Sequence, residues 1–198
     1  MSETKFHNYK MNWQDNSLVM NNKSRDVIVY PDSVYHSSLG EYFLGQTETI
    51  HFGGRYYAWG GLINSDSSNA MMFLNAYTIS NFSSQPITAE GWLSSKLPGI
   101  PRVSPNFAAG NQAILPPRQP KITIQNASNV NEKPYGGTYT FVRRVEPNQT
   151  LTKHDFQGMY IIPPGSSFVL FFLPFEKEQI EVKIAFGWWE EEIDNMHR

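Results

Sequence analysis

The sequence has no cysteine. That excludes disulfides, thiolate metal sites and cysteine nucleophiles. Charge is also scarce: Asp, Glu, Lys and Arg make up 17% of the residues, against roughly 25% in an average soluble domain. The formal net charge is −2, with no Lys/Arg run, so nucleic acid is not an expected partner. No apolar run approaches the roughly 18 residues of a membrane span. The longest, Phe168 to Leu173, has strand length. The opening "MSETKFHNYK" lacks a basic segment followed by an apolar stretch, so no secretory signal is evident.

Motifs that announce chemistry are missing as well. The five histidines are His7, His36, His51, His154 and His197, and no two are spaced i, i+2 or i, i+4. His154 adjoins Asp155, but neighbours on a strand point opposite ways. Neither G-x-S-x-G nor a phosphate-binding G-x-x-x-x-G-K-[ST] loop occurs. Glu41, Glu48, Glu90 and Asp155 are carboxylates that nothing in the sequence groups together. The run Glu190-Glu191-Glu192 reads as a solvated tail. No catalytic residue, metal ligand or cofactor is assigned, and an enzyme is not expected.

What is present is strand material. Hydrophobic residues are 40% and aromatics 14%, and β-branched and aromatic types dominate the apolar set. The stretch "YTISNFSSQPITAEGW", Tyr77 to Trp92, reads as a hairpin: strand, polar turn, strand. Strand-like runs recur near residues 27–30, 47–52, 55–59, 70–80, 85–93, 121–125, 138–145, 158–162, 167–173 and 179–189. Between them lie turn signals such as "FGGRYY", "NSDSSN", "YGGTY" and "PPGSS". No amphipathic helix stands out. The pattern predicts an all-β fold, an antiparallel β-sandwich or jelly roll of about 8–10 strands.

Two strands have distinct patterns. In the last, Ile180, Val182, Ile184, Phe186 and Trp188 share one face, which should lie in the core. "SFVLFFLPF" is instead apolar on both faces, with Phe168, Leu170 and Phe172 opposite Val169, Phe171 and Leu173. Such a strand has both faces covered, the second by a loop or by another subunit. Residues 94–120 carry six prolines and read as a long irregular connection within the domain.

Residues 1–26 read as an N-terminal arm, with a single domain over 27–198. Within the arm, Tyr9, Met11 and Trp13 alternate with Lys10, Asn12 and Gln14, a half-buried strand pattern that needs a sheet edge. Among the aromatics, Tyr57, Trp59, Trp92 and Trp189 are candidates to face a partner or ligand. Tyr56 and Tyr57 must point oppositely, as must Trp188 and Trp189, so Trp189 is expected to face outward.

"FGGRYYAWGGLIN", "NAYTISNFSSQPITAEGWL", "PRQPKITIQNASNV" and "IPPGSSFVLFFLP…AFGWWEEE" resemble an uncharacterised family of spore-forming Bacillus-like bacteria, over about residues 40–192. More distantly, the plan is similar to that of endospore appendage subunits, jelly rolls with an N-terminal extension that docks on a neighbour. Those rely on cysteine cross-links, which this chain lacks. The resemblance implies a structural subunit that self-assembles into a filament, appendage or surface layer, on a spore or cell surface and released without a secretory signal. The alternative is a carbohydrate-binding or surface-recognition module. A cytoplasmic location is the alternative for the compartment.

Overall fold

The computed structural model describes residues 29–154, 156–173 and 178–193. A boundary between two units falls between Tyr30 and Pro31, and the second unit is a sandwich of two antiparallel sheets. Its elements, in chain order, are α1 (Asp32–Ser38), β1 (Tyr42–Gln46), β2 (Ile50–Gly53), β3 (Tyr57–Asn64), β4 (Ala70–Asn81), β5 (Ile87–Leu93) and β6 (Arg102–Val103). They continue with β7 (Phe107–Ala109), β8 (Thr123–Val130), β9 (Thr138–Val145), β10 (Thr150–Lys153), β11 (Tyr160–Ile162), β12 (Ser166–Leu173) and β13 (Gln179–Glu192).

The first sheet runs β10-β4-β13-β1-β7, with β11 also on β4 and β2 also on β13. The second runs β6-β8-β3-β12-β5-β9. Among the described residues no two consecutive strands pair. The expected hairpin at Tyr77–Trp92 is therefore a corner: β4 belongs to the first sheet and β5 to the second. Asn81 holds that corner. Its Nδ2 donates to Gln85 O at 2.7 Å, and its Oδ1 accepts from the Ser83 N–H at 3.0 Å. A buried amide bonded to the turn backbone substitutes for the ladder a hairpin would have supplied.

The period of two along β13 delivers the core as its sequence implies. Ile180, Val182, Ile184, Phe186 and Trp188 are buried and pack with Phe168, Leu170 and Phe172 of the facing sheet. The opposite face of β12 carries Val169 and Phe171, both fully buried in a smaller cluster with Trp59, Ala127 and Val130. A loop covers this second face. Leu97 packs on the cluster, Trp59 Nε1 donates to Pro98 O at 2.8 Å, and Lys96 bridges to Tyr135. Each side chain so covered stabilises the fold by about 1.5–3 kcal/mol relative to exposure.

The glycines of "AWGG" lie mid-strand: a Cβ on Gly60 would stand 2.7 Å from Ile184 Cδ1, so its absence of side chain lets the two sheets approach, while a Cβ on Gly61 would meet Phe168 O of the neighbouring strand β12. Two sequence expectations change. The 94–120 segment contains two short strands, β6 and β7. Residues 29–30 are not strand, and a seven-residue helix follows. Its C-terminus is closed by Gly40 at φ +74°, with Gly40 N–H to Ser37 O at 3.0 Å and Glu41 N–H to His36 O at 2.8 Å. That is the Schellman pattern, which favours glycine at the left-handed position.

Candidate functional site

The arm residues Tyr9, Met11 and Trp13 lie outside the described residues. Of the four candidate rings in the sandwich, two are buried. Trp59 is 1% exposed and Trp189 is 2% exposed. Trp189 is enclosed on the outer face of the first sheet between Phe73, ring centroids 5.3 Å apart, and His36 of α1, also 5.3 Å. The alternation argument put Trp189 on the outer face correctly, but it could not see that a helix covers that face. Tyr57 and Trp92 are half-buried. Tyr57 stacks on Phe171 at 5.2 Å, and Trp92 lies against Tyr139 at 5.4 Å. Trp92 Nε1 donates to Glu90 Oε2.

Trp92 and Tyr139 lead to the open edge of the second sheet. β9 is eight residues long and pairs on one side, with β5, from Ile87↔Val145 to Leu93↔Thr138. Its other side has no strand partner among the described residues. Phe141 points inward, against Tyr77 and Phe168. Tyr139 and Val142 are each 49% exposed. Arg143 folds over the Phe141 ring at 4.8 Å and donates from Nη1 to Val142 O at 2.8 Å. Next to it, Arg144 pairs with Glu146. Burial pushes the Tyr77 hydroxyl up to about 12, an effect that the nearby Arg143 partly offsets.

A polar groove lies at the opposite edge of the sandwich, where β2 of the first sheet meets β8 of the second. It encloses about 780 Å3 and is lined by Glu48, Thr49 and His51, by Pro98, Gly99, Ile100 and Arg102, and by Asn126 and residues 128–132. The His51 N–H donates to Ser128 Oγ at 3.0 Å, which joins the two sheets here. His51 Nδ1 lies 3.5 Å from Glu181 Oε1, and Glu48 Oε1 accepts from Asn106 Nδ2 at 2.6 Å. Asn126 occupies an inward slot of β8, two residues on from Ile124 and four from Ile122, and is 2% exposed. Its Nδ2 is buried with no hydrogen-bond partner among the described residues.

A third feature is ionic. Arg118, Gln119 and Lys121 lie beside Glu41, Glu190 and Glu192, around a cleft of about 400 Å3. Arg118 Nη1 meets Glu41 Oε1 at 2.9 Å, and Lys121 Nζ meets Glu192 Oε1 at 2.8 Å. The Lys121 ammonium holds the Glu192 carboxyl below its ordinary range. Glu190 is not part of a solvated tail: it is 8% exposed. It accepts from Trp188 Nε1 at 2.9 Å and from the N–H groups of Lys121 and Ile122 at 2.8 and 3.1 Å. Burial nonetheless outweighs these donors and raises its pKa above the usual carboxylate value. These contacts tether a loop. Among the described residues, no group of three or more His, Cys, Asp or Glu is arranged to hold a metal ion, and no helix is long and apolar enough to cross a membrane.

Fold and surface together define a two-sheet antiparallel sandwich with one long open edge and one polar edge groove. The chain matches the family of unknown function DUF6143 over residues 15–195 and belongs to it. No curated protein and no solved structure matches.

The open edge and the groove were missed by the sequence reading for different reasons. Which strand ends a sheet is a property of pairing, and nothing in "TYTFVRRV" marks it. Asn126 did leave a signal, an amide in the inward series Ile122, Ile124, Asn126.

Proposed function

We propose that this protein is a structural, self-assembling subunit, without catalytic activity, in which residues 1–26 of one copy add as a strand to β9 of the next. The observation that carries this reading is the edge itself: eight residues, bonded on one side, with Tyr139 and Val142 exposed. A long edge bonded on one side templates pairing with other chains, and on β9 only Arg143 and Arg144 bring charge to it. The alternating Tyr9, Met11 and Trp13 suit strand addition, in which main-chain bonds give affinity and alternate side chains give register. An arm-to-edge contact is head to tail, so it builds filaments or rings. An appendage or layer on a spore or cell surface fits this reading and the resemblance to appendage subunits.

The test is size-exclusion chromatography with light scattering, plus negative-stain microscopy. The full chain should form large assemblies. Deleting residues 1–20, or substituting Val142→Lys on the exposed edge, should reduce it to monomers. Unchanged assembly size in both variants would refute the proposal. A second reading, a carbohydrate- or surface-recognition module, is favoured by the groove at Asn126.

A further inference from the structure

The Asn126 groove has the chemistry of a ligand site. Its volume, about 780 Å3, falls within the roughly 300–1,000 Å3 of small-molecule sites. A buried amide N–H without a partner is costly, because the group has left water and gained nothing in return. Asn126 Nδ2 is in that position, and Asn126 is one of the residues that line the groove. Rotation of its carboxamide toward a bound acceptor oxygen would satisfy the donor.

The rest of the lining limits what that ligand is. Asn129 and Asn131 add amides, and Ser128 adds a hydroxyl. Arg102 is outnumbered by Glu48 and Glu132 on the same groove, so no field there selects a polyanion. Ile100 is 89% exposed and supplies an apolar ledge within the groove. Paired donors and acceptors, only three formal charges of mixed sign and one apolar ledge match a neutral ligand with many hydroxyls and a C–H face. We infer that the groove between β2 and β8, centred on Asn126, binds a neutral oligosaccharide. This inference rests on the recognition reading and is independent of strand addition at β9, which lies at the other edge of the same sheet.

The experiment is isothermal titration calorimetry of the full chain with cellotriose, maltotriose and chitotriose, each taken to ~10 mM to reach weak affinities. At least one should bind saturably. Asn126→Leu replaces an orphaned donor with an apolar group of similar size, so its melting temperature should hold or rise while affinity falls at least tenfold. Val142→Lys, on the β9 edge, should bind with the same Kd as the parent whether or not it assembles. If none of the three sugars binds saturably, or if folded Asn126→Leu binds like the parent, the inference is overturned. A loss of affinity in Val142→Lys equal to that in Asn126→Leu would also overturn it, since binding would then track assembly.

Discussion

The imidazole of His36 lies nearly parallel to the indole of Trp189, at 11° between planes and 5.3 Å between centroids. The same imidazole reaches Glu41 Oε2 through Nδ1 at 3.0 Å and Glu191 Oε1 through Nε2 at 3.2 Å. One side chain thus fastens a seven-residue helix, too short to be stable alone, onto the outer face of the first sheet. Replacing it removes a ring stack and two polar contacts together. His36→Ala should cost about 1–2 kcal/mol, a fall in melting temperature of roughly 2–8 °C for a domain of this size. Tryptophan fluorescence should shift to the red as Trp189 meets water. An unchanged spectrum and melting point would contradict this account of the helix.

Tyr77 should ionise only at strongly alkaline pH. Its pKa is raised from 10.0 to about 12 by burial among Phe141, Phe156 and Phe168. A raised folded-state value favours the protonated form, so the associated stability is complete below pH 10 and is lost as pH rises through about 12. Spectrophotometric titration of Tyr77→Phe should lack one phenol from the alkaline end of the curve, with the earlier part superimposable on the parent.

Glu190 sets a pH dependence of its own. With its pKa above the ordinary 4.5, protonation favours the fold. The stability it contributes is complete below that value and is lost as pH rises through the raised one. Glu190→Gln cannot ionise. Stability of the parent relative to this variant should therefore fall as pH rises above the ordinary carboxylate value of 4.5. Denaturant melts at several pH values measure the difference; a gap that widens in the parent's favour above that value would show the opposite sign.

The paired glycines of β3 should respond unequally to alanine. On Gly60 the added methyl meets the tips of Ile184 and Ile50, at 2.7 and 2.9 Å, both of which can rotate. On Gly61 it meets the backbone oxygen of Phe168, which is held in the β3–β12 ladder at Phe168↔Leu62. Gly60→Ala should cost about 1–2 kcal/mol and Gly61→Ala about 3 kcal/mol or more. Urea midpoints of the two variants in the reverse order would contradict the close-approach explanation.

Strand material in this chain is legible locally because its cause is local. Alternation in β13 assigns Ile180 through Trp188 to the core, and the doubly apolar β12 announces two covered faces. β1, β10 and α1 escaped notice because each is short: "YFLGQ" and "TLTK" become strands only when β13 and β4 supply their hydrogen bonds. Glu190 read as solvent-facing since a run of three glutamates looks polar, yet Lys121 and Ile122, some seventy residues earlier in the chain, aim their N–H groups at it. Trp189 alternates outward as expected and is buried anyway, under a helix built from residues 32–38.

By itself the sequence determined the class of fold, the inward faces of its longest strands and the absence of thiol chemistry, since each follows from side-chain identity and a spacing of two. Tertiary structure alone decided that consecutive strands go to different partners and, among the described residues, that β9 ends a sheet with one side open and that Asn126 keeps an unmatched N–H. Pairing is decided between segments far apart in the chain, through hydrogen bonds that every backbone can make, and a backbone carries no mark of which neighbour it will choose.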